Sequence, residues 1–136
     1  MSSGETVIET AAEERLVAAA TSARQNAVSK RSGFSVGAAI EDAEGKIWGG
    51  CNVENSTYGL TVCAERVAIW KALSEGVRKF RAVAVVTGAE EPTPPCGACR
   101  QILWEFAGDV PIVSATTGGS RKRYRLSDIF PEPFDF

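Results

Sequence analysis

An α/β sandwich around a mixed sheet is the fold this sequence predicts, from three observations. The chain opens with helical periodicity, continues with a turn flanked by two strand-like runs, and then alternates short apolar strands with helices. Ile8, Leu16, Ala19, Ala20, Ala23 and Ala27 recur at helical spacing, which predicts an amphipathic first helix ending near Lys30 to Gly33. Residues 34–40 and 46–53 flank Asp42-Ala43-Glu44-Gly45 and predict a β-hairpin. Residues 63–75 carry Val67, Ala68, Trp70, Ala72 and Leu73 ahead of Gly76, a mostly buried helix with a glycine stop. Residues 82–86 are wholly apolar, as in a strand whose sheet is covered on both faces. The prolines in residues 88–95 remove backbone donors and disfavour helix before them, so that segment is a loop. A helix over residues 98–107 follows, through Ile102, Leu103 and Phe106, and residues 110–115 and 124–126 supply two more strands on either side of Gly118-Gly119. With no internal repeat and no dividing linker, residues 1–136 read as one domain.

Composition narrows the function classes. At 136 residues, 44% hydrophobic and 24% charged, the chain has the makeup of a soluble globular domain with one core. A net charge of −2 offers no electrostatic reason to bind nucleic acid or an acidic membrane. Arg121, Lys122, Arg123 and Arg125 make a local basic stretch, read as one solvated strand or turn, with a polyanion site as the alternative. No apolar run has the length of a membrane span, and the first fifteen residues lack a signal-peptide pattern, so a cytoplasmic location is expected. In that compartment the four cysteines are thiols or metal ligands rather than disulfides. The chain contains no histidine, which excludes imidazole as a base or ligand and with it Ser-His-Asp and Cys-His catalysis.

Three cysteines fall at equivalent places: Cys63 opens one predicted helix, and Cys96 and Cys99 stand at the start of another. Unpaired N–H groups and the positive helix end favour thiolates there. The turn Pro95-Cys96-Gly97-Ala98-Cys99 brings two sulfurs close enough to share one zinc, and Cys63 supplies a third ligand, which leaves one tetrahedral position open to water. Glu65, two residues after Cys63, is placed to lean over that position and move protons. Arg66 and Arg100 adjoin the ligand cysteines and are candidates to donate to their sulfurs, offsetting the excess thiolate charge. Spacing alone also admits a structural zinc site completed by Cys51, whose other reading is a small buried apolar side chain.

Cys63-Ala64-Glu65-Arg66 followed by Pro95-Cys96-Gly97-Ala98-Cys99-Arg100-Gln101 resembles the paired signature of the cytidine deaminases in their three-cysteine form. The segments 34–39, 50–55, 58–62 and 73–76 resemble the family in the same order, so the likeness spans roughly residues 10 to 134. It implies a three-layer α/β/α sandwich with a mixed five-stranded sheet. It further implies one zinc per chain on Cys63, Cys96 and Cys99, with Glu65 as proton shuttle. The reaction implied is water attack at C4 of cytidine or deoxycytidine with loss of ammonia, in pyrimidine salvage. Asn52 and Glu54 would hold the ribose, Phe34 would pack beside the base, and the Ala64 N–H would meet the pyrimidine carbonyl. Residues 129–134 resemble the family's Leu-Leu-Pro-x-x-Phe ending, which implies a homotetramer in which Phe134 closes a neighbour's pocket. Phe130, Phe134 and Phe136 make this tail too apolar to leave in water. The chain departs from the family just before Phe34, where Lys30-Arg31-Ser32-Gly33 replaces a Pro-Tyr-Ser-like approach. Related deaminases of blasticidin or of nucleotides share the zinc core, as do polynucleotide deaminases; Asn52-Val53-Glu54-Asn55 favours an unphosphorylated nucleoside.

Overall fold

The computed structural model describes residues 8–134. Helix α1 (Thr10–Arg24) is followed by β1 (Val36–Asp42), β2 (Ile47–Cys51), α2 (Ala64–Ser74), β3 (Phe80–Thr87), α3 (Gly97–Ala107), β4 (Pro111–Thr116), β5 (Arg121–Arg125) and the single turn α4 (Leu126–Ile129). The sheet runs β2-β1-β3-β4-β5, with β3 and β4 parallel and the other pairs antiparallel. This is the mixed five-stranded sheet of the expected sandwich.

Period-two alternation along the buried strands makes the two outer layers. Ala38, Ile40, Val83, Val85 and Ile112 face one core with Ala68 and Ile69 of α2 and Leu103 of α3. Ala39, Ala84, Val86, Val113 and Ala115 face the other, against Leu16 and Ala20 of α1. Each fully buried Leu or Ile contributes about 1.5 to 3 kcal/mol of transfer free energy. Both helix layers meet the sheet at a glycine. A Cβ on Gly37 would lie 1.9 Å from the Ala20 carbonyl oxygen of α1, and one on Gly50 would lie 2.5 Å from the Ala68 nitrogen of α2. Gly50 thereby sets how closely the helix that begins at Ala64 rests on β2.

Helix α1 and the basic stretch show what packing adds to the sequence pattern. Helix α1 starts with Glu9 as its cap, accepting from the N–H groups of Ala11 and Ala12, and ends at Arg24 rather than near Lys30. Its predicted continuation leaves the helix because Val28 donates to the Asn52 carbonyl at 3.0 Å and accepts from the Glu54 N–H at 2.8 Å. The basic stretch is a strand, exposed at Lys122 and Arg123 as expected, and two of its arginines also reach across to α1. Arg123 holds Glu13 of α1 through two bonds of 2.8 and 2.7 Å, and Arg121 reaches the same carboxylate at 2.8 Å. These guanidinium groups hold the buried Glu13 carboxyl below the usual carboxylate range, Arg123 first. Among the described residues no helix is long and apolar enough to cross a membrane.

Candidate active site

The site lies where two helices begin. Cys63 is the N-cap of α2 and Cys96 the N-cap of α3, and neither makes a side-chain cap bond. A Ser or Asp there would turn back to the helix N–H groups; a thiol is left to face outward. Cys99, one helical turn after Cys96, lies on the same face and is fully buried. The three sulfurs lie within 4.8 Å of one another, and Cys63 Sγ is 3.8 Å from Cys96 Sγ. Sulfurs on a tetrahedral zinc with bonds of about 2.3 Å stand about 3.8 Å apart. Among the described residues Cys51 is outside this group, half-buried on β2.

The electrostatics also fit a dication. The neighbouring Cys99 thiol, followed by the Arg66 guanidinium, draws the Cys63 thiol down to about 5. Cys99 is pushed far up by the same pairing with Cys63 and by burial. Sulfurs this close cannot all ionise without a cation among them. Three thiolates and Zn²⁺ leave a charge of −1, and Arg66 Nη2 donates to Cys63 Sγ at 3.2 Å to offset it. Arg100, expected to do the same, instead spends Nε on the Pro95 carbonyl at 2.8 Å and Nη1 on the Ile129 carbonyl at 2.6 Å.

A pocket of about 230 Å³ opens over Cys63 and Cys96 and brings together Phe34, Asn52, Glu54, Ala64 and Glu65. Glu65 is 6% exposed, and burial pushes its carboxyl up to about 7. Asn52 braces the segment that carries Phe34: its Oδ1 accepts from the Val36 N–H at 2.9 Å, and its Nδ2 donates to the Phe34 carbonyl at 2.8 Å. Glu54 accepts from the backbone N–H groups of Arg31 and Ser32 and from the Ser32 hydroxyl.

Sequence reasoning missed Ser32, Thr87 and Thr93, which also line the pocket. Thr87 was legible only as the residue just past an apolar strand. Ser32 stands in the segment that departs from the family pattern, and Thr93 among the loop prolines. Phe134 is not among the lining residues of this chain's pocket. Its ring is 67% exposed, while its backbone N–H and carbonyl are both bonded to the Gln101 side chain, at 3.2 and 2.9 Å. Phe130 packs half-buried against the α2 and α3 core, and Phe136 lies outside the described residues.

Known proteins agree with this geometry. Residues 10–115 match the family model described as the cytidine and deoxycytidylate deaminase zinc-binding region. A cytidine deaminase of Sporosarcina psychrophila is 44% identical over 122 residues, covering 89% of this chain and 90% of that protein. A probable cytidine deaminase of Dictyostelium discoideum is 46% identical, over 89% of this chain and 82% of its own. The crystal structure of cytidine deaminase from Burkholderia pseudomallei superposes with a TM-score of 0.86 at 41% identity, covering 89% of this chain and 98% of that one. With three sulfurs gathered for one zinc beside a buried carboxyl, and with these likenesses over most of its length, the chain belongs to the cytidine and deoxycytidylate deaminase family of zinc enzymes.

Proposed function

We propose that this chain, as one domain over residues 1–136, hydrolyses the exocyclic C–N bond of cytidine and deoxycytidine to give uridine or deoxyuridine and ammonia. The observation that carries the reading is the buried Glu65 carboxyl in the same pocket as Cys63 and Cys96, two of the three clustered sulfurs. Cys63, Cys96 and Cys99 hold the zinc, which when bound supplies a Lewis acid that makes water nucleophilic near neutral pH. Glu65 takes one proton from the attacking water and gives it to the ring nitrogen beside the reacting carbon, then takes the second proton from the hydroxyl so added and gives it to the departing amine. As the first residue of α2, Ala64 has an N–H with no partner inside the helix, and this donor meets the pyrimidine carbonyl. Phe34 lies against the base, while Asn52 and Glu54 bond the sugar.

The same reading carries a homotetramer, a cytoplasmic location and a role in pyrimidine salvage. Two features support assembly. The Phe134 ring is presented to solvent on a pinned backbone, and Val53, Val62, Val67 and Trp70 line one shallow apolar hollow. In the tetramer Phe134 closes a neighbouring subunit's pocket.

Ultraviolet monitoring of the purified zinc-loaded protein with a substrate panel tests this. Cytidine and deoxycytidine are turned over, whereas their monophosphates, blasticidin, a cytosine oligonucleotide and free cytosine are poor substrates. Faster turnover of blasticidin or of the oligonucleotide than of either nucleoside overturns the assignment.

A further inference from the structure

A serine at the mouth of the pocket ties together the two groups assigned to the sugar and the base. The Ser32 hydroxyl donates to Glu54 Oε2 and accepts from the Phe34 N–H at 3.0 Å, which uses its one proton and one of its two lone pairs. Glu54 Oε1 takes the consecutive N–H groups of Arg31 and Ser32, each at 3.0 Å. A carboxylate has about four acceptor positions, so this one loop fills all but one of them. The remaining position is on Oε2, the oxygen whose direction the Ser32 hydroxyl sets.

The loop is shaped for that contact. Gly33, at φ +70°, turns the chain between Ser32 and Phe34, and its N–H bonds the Ser29 carbonyl at 2.7 Å. The Arg31 guanidinium bonds Ser56 Oγ at 2.9 Å, and the Glu54 N–H bonds the Val28 carbonyl at 2.8 Å. The Ser32 hydroxyl is also the largest cause of the lowered Glu54 carboxyl pKa. Because the two backbone N–H groups hold Oε1 without it, the serine is free to serve direction rather than folding.

We infer that Ser32 is a positioning residue for nucleoside recognition. Through Glu54 Oε2 it aims the one acceptor left for a sugar hydroxyl, and through the Phe34 N–H it fixes that acceptor relative to the ring beside the base. The inference rests on the nucleoside deaminase reading above.

The test compares the zinc-loaded parent with Ser32→Ala, Ser32→Thr, Glu54→Ala and the Ser32→Ala/Glu54→Ala double variant. It measures kcat and KM for cytidine, equilibrium binding of uridine, zinc content and melting temperature. Ser32→Ala raises KM for cytidine and weakens uridine binding by about tenfold, the scale of one hydrogen bond to a charged group, while kcat stays within about threefold. Ser32→Thr, which keeps the hydroxyl, recovers most of that loss. In the Glu54→Ala background the serine change adds less than about twofold, because its partner is gone.

Additive losses, a threonine variant no better than alanine, or a KM within about twofold of the parent's overturn the assignment. A Ser32→Ala chain that melts early or sheds zinc makes the serine a structural residue and overturns it too. A parent that does not deaminate cytidine defeats the underlying nucleoside reading, whereas an active parent with an indifferent serine variant defeats only this inference.

Discussion

Helices α2 and α3 begin alike, each with a cysteine at its cap and an arginine within one turn, yet the two arginines do different work. Arg66 stands three residues after Cys63, on the same face of the helix, and reaches that sulfur. Arg100 directly follows Cys99, about 100° around the helix from it, and reaches backward to the Pro95 carbonyl and outward to the end of α4. One guanidinium tunes the charge of the metal centre, and the other fastens the turn that delivers two of its ligands. Adjacency in sequence therefore identified both residues, but direction around the helix and the nearest acceptor separated their roles.

The largest effect belongs to the sulfurs themselves. Cys63→Ala, Cys96→Ala and Cys99→Ala each lose tightly held zinc and turnover, whereas Cys51→Ala keeps both, as elemental analysis of the purified chains will show. Retention in Cys63→Ala with loss in Cys51→Ala would replace the catalytic centre by a structural one.

Next comes Glu65→Gln, which keeps the zinc but cannot carry a proton. Turnover falls by about two to four orders of magnitude or more in a steady-state assay. Near-parental turnover makes Glu65 a bystander.

Arg66→Ala lowers zinc affinity or turnover by about 10- to 100-fold, the usual scale for a group that supports metal ligands. A competitive chelator titration beside the kinetic assay reads both quantities. Equal losses in Arg100→Ala erase the distinction between the two helix starts.

A chain ending at Pro131 loses the Gln101 clasp on Phe134. If Phe134 closes a neighbour's pocket, one aromatic contact worth about 1.5 to 3 kcal/mol disappears, raising KM roughly tenfold or more. Light scattering follows assembly in the same samples; a fully active monomer of the intact chain sinks the shared pocket.

Arg100→Ala has the smallest catalytic effect of the series. It leaves the Pro95 and Ile129 carbonyls without this donor and costs about 1 to 3 kcal/mol of stability in denaturant unfolding, with zinc content near the parent's.

Local pattern alone determined much of this protein. The wholly apolar residues 82–86, the turn at residues 42–45 and the glycine stop at Gly76 carry their structure in short-range chemistry, and all appear in the fold. The Cys96 and Cys99 pair was equally legible, because a helix start and an i, i+3 spacing put both sulfurs on one face; adding Cys63 and Glu65 to it rested on the resemblance to the family. What tertiary structure decided is non-local. Helix α1 stops at Arg24 because Val28 finds partners in Asn52 and Glu54, far along the chain, and Arg121 and Arg123 of the basic strand are paired because Glu13 lies buried on α1 within their reach. Cys51 stays out of the metal group because β2 carries it elsewhere, and Ser32 enters the site through a bond to a carboxylate 22 residues away. Long or loop-borne polar groups bond whichever partner packing brings within about 3 Å, and only the folded chain specifies that partner.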